Sequence, residues 1–275
     1  MKTSKFIFRV VFSAISPAFF FSCTGEEERV SPADTADVIS ESLVDAYFED
    51  TDDMTLAAIS SDGSPVGGRI ASDDRFCAAL LFDGTNLSGS IVLNFGTACT
   101  DLRGNTRSGT ILLDYADGPA ATTGFTVVMT FDGYTINGVR LEGTRTIRRL
   151  VSDYSNILRH EVTLENGRVT WPDNSTSSRN SSFVRELNLN DLTVKLDGEA
   201  SGQNRRGKSY TMAIAETLLY KGDCVLSDGI YMAVQGVKLF TSGGRTLAID
   251  YGDGACDRMV TVKIGNAATS LAVGD

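Results

Sequence analysis

Histidine is almost absent from this chain of 275 residues, in which His160 is the only one beside a single tryptophan. A Ser-His-Asp or Cys-His catalytic site would therefore have to use this one residue. His160 is in phase with Val162 and Leu164 of an alternating segment, which favours a partly buried strand histidine with satisfied hydrogen bonds. With one histidine and only five cysteines, we also expect no transition-metal site of the usual His/Cys kind and no cofactor.

Long apolar runs are missing as well. The longest run near the N-terminus, Val10–Phe21, has about 12 residues, whereas a helix that spans a bilayer needs about 20. Three basic residues precede the run and Ser22-Cys23 follows it. This order is typical of a secretory signal peptide, which we place at residues 1–22.

The segment Phe20-Phe21-Ser22-Cys23 resembles a bacterial lipobox. The resemblance implies that Cys23 receives acyl chains such as palmitate, becomes the mature N-terminus and anchors the protein to a membrane. The acidic residues Glu26–Glu28 resemble the export signal of surface lipoproteins of the Bacteroidota. We therefore expect an outer-membrane or cell-surface protein, with a periplasm-facing orientation as the alternative.

Positive charge is scarce, with 25 basic against 35 acidic residues and a net charge of −10. Loss of residues 1–22 removes three basic residues and no acid, which leaves the mature chain at −13. Such a chain lacks the basic surface of a nucleic-acid-binding protein. It would also be repelled by anionic lipid headgroups, so the lipid on Cys23 would have to supply the membrane contact.

Proline is rare and glycine abundant, with 5 and 27 residues respectively. From residue 69 onward, segments that alternate apolar and polar residues are separated by short turns, as in 90–95, 110–115, 125–131, 134–141, 161–165 and 168–171. Asn137-Gly138 and Asn166-Gly167 each predict a tight hairpin, because a type I′ turn needs two positive φ angles. The pattern predicts a mainly β fold, an antiparallel multi-hairpin sheet that could be a curved sheet, a sandwich or a partial barrel.

One helix is predicted before the strands. Ser31-Pro32-Ala33-Asp34 is a typical helix start, with serine as N-cap and proline in the first turn. Ile39, Leu43, Ala46 and Tyr47 recur at helical spacing, so we predict a helix over 32–49 that continues or restarts over 54–59. The predicted organisation is a signal peptide (1–22), a lipidated tether with this helix (23–68) and a β domain (69–275).

Four cysteines remain if Cys23 is lipidated, and an even number in an exported chain predicts two disulfides. An internal repeat relates Ile91–Asp101 to Leu247–Asp257, and each copy contains one cysteine with another upstream of it. Equivalent positions in the two copies predict the pairs Cys77–Cys99 and Cys224–Cys256.

Two segments resemble motifs of known enzymes, one of nucleotide-binding proteins and one of phosphatases. The segment Gly202–Ser209 fits the P-loop pattern, but the flanking segments alternate as strands do, whereas a P-loop needs a following helix. We therefore expect a hairpin loop and no nucleotide. Trp171-Pro172-Asp173 resembles the acid loop of protein tyrosine phosphatases, but none of Cys77, Cys99, Cys224 and Cys256 is followed six residues later by arginine, so we expect a turn.

Several segments together resemble uncharacterised secreted lipoproteins of the Bacteroidota, a likeness that implies location and β architecture only. They are Glu142–Thr146, Gly167–Asp173, Ala200–Tyr210 and Asp250–Asp257. The last segment contains Asp250, Asp253 and Asp257, which are weak candidates for calcium ligands because the spacing of an EF-hand loop is absent.

No catalytic constellation is visible in the sequence. The leading hypothesis is a lipid-anchored, non-enzymatic binding or structural module of the envelope, whose partner could be a glycan, a protein or an apolar ligand. A second hypothesis is a carrier that holds a lipid or other apolar ligand in a large cavity between a curved sheet and the helix. A third is a carboxylate-based glycan hydrolase, which requires two acids facing one cleft.

Overall fold

The computed structural model of the protein describes residues 29–60, 69–73 and 77–273. Cys23 and the predicted signal peptide lie outside these residues. The helices are α1 (Pro32–Ser60) and α2 (Gly222–Asp228). The strands are β1 (Arg69–Asp73), β2 (Ala78–Gly84), β3 (Gly89–Asn94), β4 (Cys99–Thr100), β5 (Thr106–Ala116), β6 (Thr126–Ile136), β7 (Val139–Arg149), β8 (Ile157–Thr170), β9 (Thr176–Asn188), β10 (Thr193–Gln203), β11 (Ser209–Lys221), β12 (Gln235–Ser242), β13 (Arg245–Asp253), β14 (Met259–Ile264) and β15 (Ala267–Ala272). Neither helix is both long and apolar enough to cross a membrane.

The strands form one antiparallel sheet, which confirms the predicted fold class. Fourteen strands lie side by side in chain order, and β4 pairs only with the start of β5. β1 and β15 stand at the two ends of this order. Since every connection joins neighbouring strands, the fold is an open meander of hairpins and not a sandwich of two sheets.

The two Asn-Gly pairs have different structural roles. Asn137 and Gly138 have φ angles of 51° and 76° and form the predicted turn between β6 and β7. The prediction of a second turn at Asn166-Gly167 is wrong, because β8 runs through it. Asn166 has a φ of 53° at a β-bulge where the pairing with β9 shifts register. A Cβ atom at Gly143 would lie 2.8 Å from the Cα of Gly167, so the close approach of β7 and β8 requires glycine there.

Helix α1 is a continuous helix of 29 residues. Its start is capped as predicted: the Ser31 hydroxyl accepts a hydrogen bond from the Asp34 N–H, and the Asp34 carboxylate accepts one from the Ser31 N–H. The apolar residues at helical spacing, Ile39, Leu43, Ala46 and Tyr47, are only half-buried. The fully buried apolar residues are Val38, Val44, Phe48, Met54 and Ala58. Their side chains point in several directions, so the helix is covered on more than one side.

Ion pairs between the acidic residues of α1 and basic residues of the sheet account for this burial. Every fourth residue from Asp37 to Asp53 is acidic, and each of these carboxylates contacts a basic residue of the sheet or its loops. The pairs are Asp37–Arg206, Glu41–Arg179, Asp45–Arg179, Asp45–Lys238, Glu49–Arg185 and Asp53–Arg185. Beside this stripe, Asp50 pairs with Arg107 and Asp52 with Arg145. Because these partners come from β5, β7, β9 and β12, the sheet must curve around the helix.

Two hydrophobic cores flank the helix, and each has one disulfide. The first is built from β2 to β8 with Val44, Phe48 and Met54, and the second from β9 to β15 with Val38. The predicted pairs are confirmed: Cys77 is bonded to Cys99 and Cys224 to Cys256, with Cα–Cα distances of 6.0 Å and 5.2 Å. Helix α2 contains Cys224 and is ended by Gly229, whose φ is 65°.

Candidate ligand-binding site

A cavity of about 440 Å³ lies between the C-terminal half of α1 and the concave face of the sheet. Pockets that hold small molecules usually have volumes of roughly 300–1,000 Å³. On the helix side the apolar lining residues are Ala46, Leu56, Ala57 and Ile59. On the sheet side they include Phe125, Val127, Ile147, Leu158, Leu187, Val194 and Tyr220. The cavity therefore offers an apolar surface on both walls.

An apolar row crosses four strands on the sheet side of the cavity. Leu158 of β8 is paired with Leu187 of β9, Leu187 with Val194 of β10, and Val194 with Tyr220 of β11. Side chains at such paired positions lie next to one another on the same face of a sheet. The row is consequently a continuous apolar strip.

The turn between β9 and β10 forms part of the rim. Leu189 and Leu192 line the cavity and are 46% and 48% exposed. Large apolar side chains that stay accessible at the edge of an apolar cavity are typical of a mouth through which a ligand passes. The cavity is therefore accessible from this end of the sheet.

A polar row lies beside the apolar one, one inward-facing position further along the strands. Arg149 of β7 is paired with His160 of β8, and His160 with Arg185 of β9. All three line the cavity. His160 is 5% exposed and Arg185 3% exposed, yet the His160 Nδ1 and Arg185 Nη1 atoms have no hydrogen-bond partner among the described residues. Buried polar atoms without partners are uncommon in folded proteins and call for an explanation.

The three side chains differ in charge. Burial, and then the charges of Arg185 and Arg149, lower the pKa of the His160 imidazole to about 3, so His160 is neutral at physiological pH. Arg185 donates hydrogen bonds to Glu49 through Nε (3.3 Å) and to Asp53 through Nη2 (2.5 Å). Arg149 forms no side-chain hydrogen bond or ion pair with any described residue, and burial alone lowers its pKa.

Glu49 belongs to the same wall of the cavity. Burial and then the charge of Asp52 raise the pKa of the Glu49 carboxyl to about 7, although Arg185 acts in the opposite direction. Near neutral pH this carboxyl is therefore close to its own midpoint. In its protonated form it leaves more of the positive charge of Arg185 available to another anion.

The phosphate-binding pattern at Gly202–Ser209 is a hairpin loop between β10 and β11, as predicted. Asn204 closes it: its carboxamide oxygen accepts hydrogen bonds from the Arg206 and Lys208 amides, and Gly207 has a φ of 71°. The Asn204 side chain also donates to Asp37 of α1 (2.9 Å). The loop thus secures the helix and is followed by strand β11, where a P-loop would need a helix.

Trp171 and His160, the two other residues that the sequence brought into question, are both buried. Trp171 is buried and begins the predicted turn, in which the Asn174 amide donates to its carbonyl oxygen (2.9 Å). His160 is a buried strand residue as predicted, but the expectation that its hydrogen bonds are satisfied is wrong, because Nδ1 has no partner among the described residues.

The calcium candidates are not gathered into a site. Asp250 accepts a hydrogen bond from Lys263 Nζ (2.7 Å), and Asp257 accepts one from the Met259 amide (2.9 Å). Within the ranges that the structure describes, no group of three or more His, Cys, Asp or Glu side chains could hold a metal ion, and this includes Asp253.

Sequence reasoning missed the polar row except for His160. The strand alternation could have indicated Arg149 and Arg185 as inward-facing residues. Each lies two residues from a buried strand residue, Ile147 and Phe183 respectively. A basic residue on the inward face of a strand indicates either a buried ion pair or a ligand site. No protein-family model, curated protein sequence or solved structure matches this chain.

Proposed function

We propose that this protein is a non-enzymatic carrier, which binds a lipid or other apolar small molecule between the curved sheet and helix α1. The observation that carries this proposal is the cavity of about 440 Å³, whose two walls are largely apolar. Transfer of apolar surface from water into such a cavity is favourable by about 25 cal/mol per Å². The exposed leucines of the rim, Leu189 and Leu192, provide the route into it.

A carboxylate-based hydrolase is supported less well. Glu49 and Asp53 do face the cavity, but they lie one turn apart on the same side of α1, and both are bonded to Arg185. A glycosidase needs its two carboxylates on either side of the bond that is cleaved.

Filling the cavity should abolish ligand binding. Ala57 lines the cavity from the helix side, so the indole of Ala57→Trp would occupy the volume that the ligand needs. We expect a neutral apolar probe, N-phenylnaphthylamine, to bind the unchanged protein with one-to-one stoichiometry and to bind the variant about tenfold more weakly or worse, a loss of at least 1.4 kcal/mol. The probe's fluorescence increase on binding measures both affinities.

Ala213→Trp provides the matched control, because Ala213 is an exposed residue of β11 and its side chain does not line the cavity. Probe affinity should be unaffected there. A probe at 100 times its Kd should also stabilise the unchanged protein by about 2.7 kcal/mol. Failure of the correctly folded protein to bind any apolar probe would refute the carrier proposal, as would turnover of a glycan, ester or peptide.

We also propose that a lipid on Cys23 anchors the protein to the outer membrane or cell surface. The support for this is the lipobox-like segment Phe20–Cys23 and the signal-like segment before it. Protein extracted from native membranes should have an intact mass that begins at Cys23 and includes acyl chains, whereas Cys23→Ala should leave the membrane fraction. A mature mass without acyl chains would contradict the anchor.

A further inference from the structure

The unsatisfied groups of the cavity lie on one row of the sheet. Among the described residues, His160 Nδ1 and Arg185 Nη1 are buried without a protein partner, and the neighbouring Arg149 forms no ion pair. A buried polar group that is left without a partner destabilises the folded protein. These groups become satisfied together if a ligand places hydrogen-bond acceptors against them.

The charge of the cavity identifies the kind of acceptor. The charged residues that line it are four cations, Arg103, Arg149, Arg185 and Lys221, and three carboxylates, Glu49, Asp50 and Asp53. His160 is neutral there, and Glu49 is partly protonated near pH 7. In a chain with a net charge of −10 this lining has an excess of positive charge. The complementary headgroup is therefore anionic.

The order of residues along β9 and into the turn that follows it shows where the rest of the ligand would lie. Arg185, Leu187 and Leu189 follow one another at every second position, and all three line the cavity. At about 3.3 Å per residue the distance from Arg185 to Leu189 is about 13 Å. The apolar strip thus lies between the charged row and the exposed rim, which suits an elongated apolar tail.

We infer that the ligand is a fatty acid, a single acyl chain whose carboxylate is held by Arg149, His160 and Arg185. The inference rests on the proposed carrier function and adds the headgroup to it. Arginine presents paired N–H donors that match the two oxygens of a carboxylate. A neutral imidazole can place its proton on Nδ1 and donate a further hydrogen bond. The tail then lies along Leu158, Leu187 and the rim, and the cavity volume suits one chain better than two.

The test compares two ligands that differ only in the headgroup, dodecanoate and dodecanol, by equilibrium dialysis against the same protein. We expect dodecanoate to bind more tightly. Arg149→Gln should weaken dodecanoate binding about tenfold, because it removes a charge-assisted hydrogen bond to the carboxylate, and should leave dodecanol binding unchanged. Arg148→Gln is the control: Arg148 is the exposed neighbour of Arg149 and does not line the cavity. It should change neither affinity.

The outcomes separate the two proposals. If neither ligand binds and N-phenylnaphthylamine does not bind either, the carrier function itself is wrong; if only N-phenylnaphthylamine binds, the fatty-acid assignment is wrong. If dodecanol binds as tightly as dodecanoate, or if Arg149→Gln and Arg148→Gln behave alike, the cavity holds an apolar ligand but the carboxylate assignment is wrong. Tighter binding of a single-chain phosphate, dodecyl phosphate, would also overturn that assignment, because the row would then be a phosphate site.

Discussion

Arg145→Met is expected to lower the free energy of unfolding by about 3–5 kcal/mol, because it leaves a buried carboxylate without its partner. The Arg145 side chain is 2% exposed and that of Asp52 is fully buried. Asp52 accepts hydrogen bonds from Arg145 Nε and Nη2, each 2.5 Å long. Methionine retains most of the volume of arginine, so the loss should reflect the charge rather than a hole. Urea denaturation followed by circular dichroism measures it.

Two further variants separate this effect from a general sensitivity to mutation. Arg159→Met removes an ion pair with Glu186 on the outer face, where the side chains are 44% and 39% exposed, and should cost no more than about 1 kcal/mol. Arg145→Met combined with Asp52→Leu removes both buried charges and should recover most of the stability. Equal losses for Arg145→Met and Arg159→Met would show that the buried pair is not what holds α1.

The acidic stripe explains why α1 needs the sheet. Carboxylates at Asp37, Glu41, Asp45, Glu49 and Asp53 are four residues apart, and like charges at this spacing destabilise an isolated helix. Within the fold each has a basic neighbour, so the same residues select the position of the helix inside the sheet. After a slide by one turn the stripe would still present acids to most of the same basic residues, but Asp50 and Asp52 would be replaced by apolar residues, either Ala46 and Phe48 or Met54 and Leu56. The pairs Asp50–Arg107 and Asp52–Arg145 therefore specify the register of the helix.

The strands could be predicted because they depend on local patterns. Alternation and turn residues are enough to identify segments such as 110–115 and the hairpin at Asn137-Gly138. The same dipeptide at Asn166-Gly167 misled, because a positive φ is needed in a bulge as well as in a turn. Only the neighbouring strand, where Gly143 approaches Gly167, distinguishes the two cases, and that contact is not a local property of the sequence.

The candidate site was harder to predict than the fold. Arg149, His160 and Arg185 are far apart in sequence and become neighbours only through the register of β7, β8 and β9. The burial of the acidic side of α1 was not predicted for a related reason. An acidic helix is typical of a solvated surface unless its arginine partners are known. The cysteine pairing was predictable because the internal repeat fixes which positions are equivalent, without any knowledge of the sheet.

The two disulfides should each contribute about 3–4 kcal/mol to stability, as the chain-entropy model gives for loops of this length. The bonds Cys77–Cys99 and Cys224–Cys256 link residues 22 and 32 positions apart. We expect the larger loss from Cys224→Ala/Cys256→Ala, for two reasons. It opens the longer loop, and Cys224 is 1% exposed within the second core, so its truncation also leaves unfilled space. Urea denaturation of the two double variants measures the difference.

Reduction of the unchanged protein provides the control, because dithiothreitol opens both loops without removing any atom from the core. Its effect on the free energy of unfolding should be close to the sum of the two entropic losses, about 7 kcal/mol. The Cys224→Ala/Cys256→Ala variant should lose more than its share of that sum, and Cys77→Ala/Cys99→Ala should not, since Cys77 and Cys99 are only partly buried. An unfolding midpoint that does not respond to reductant would contradict the predicted contribution of the two bonds.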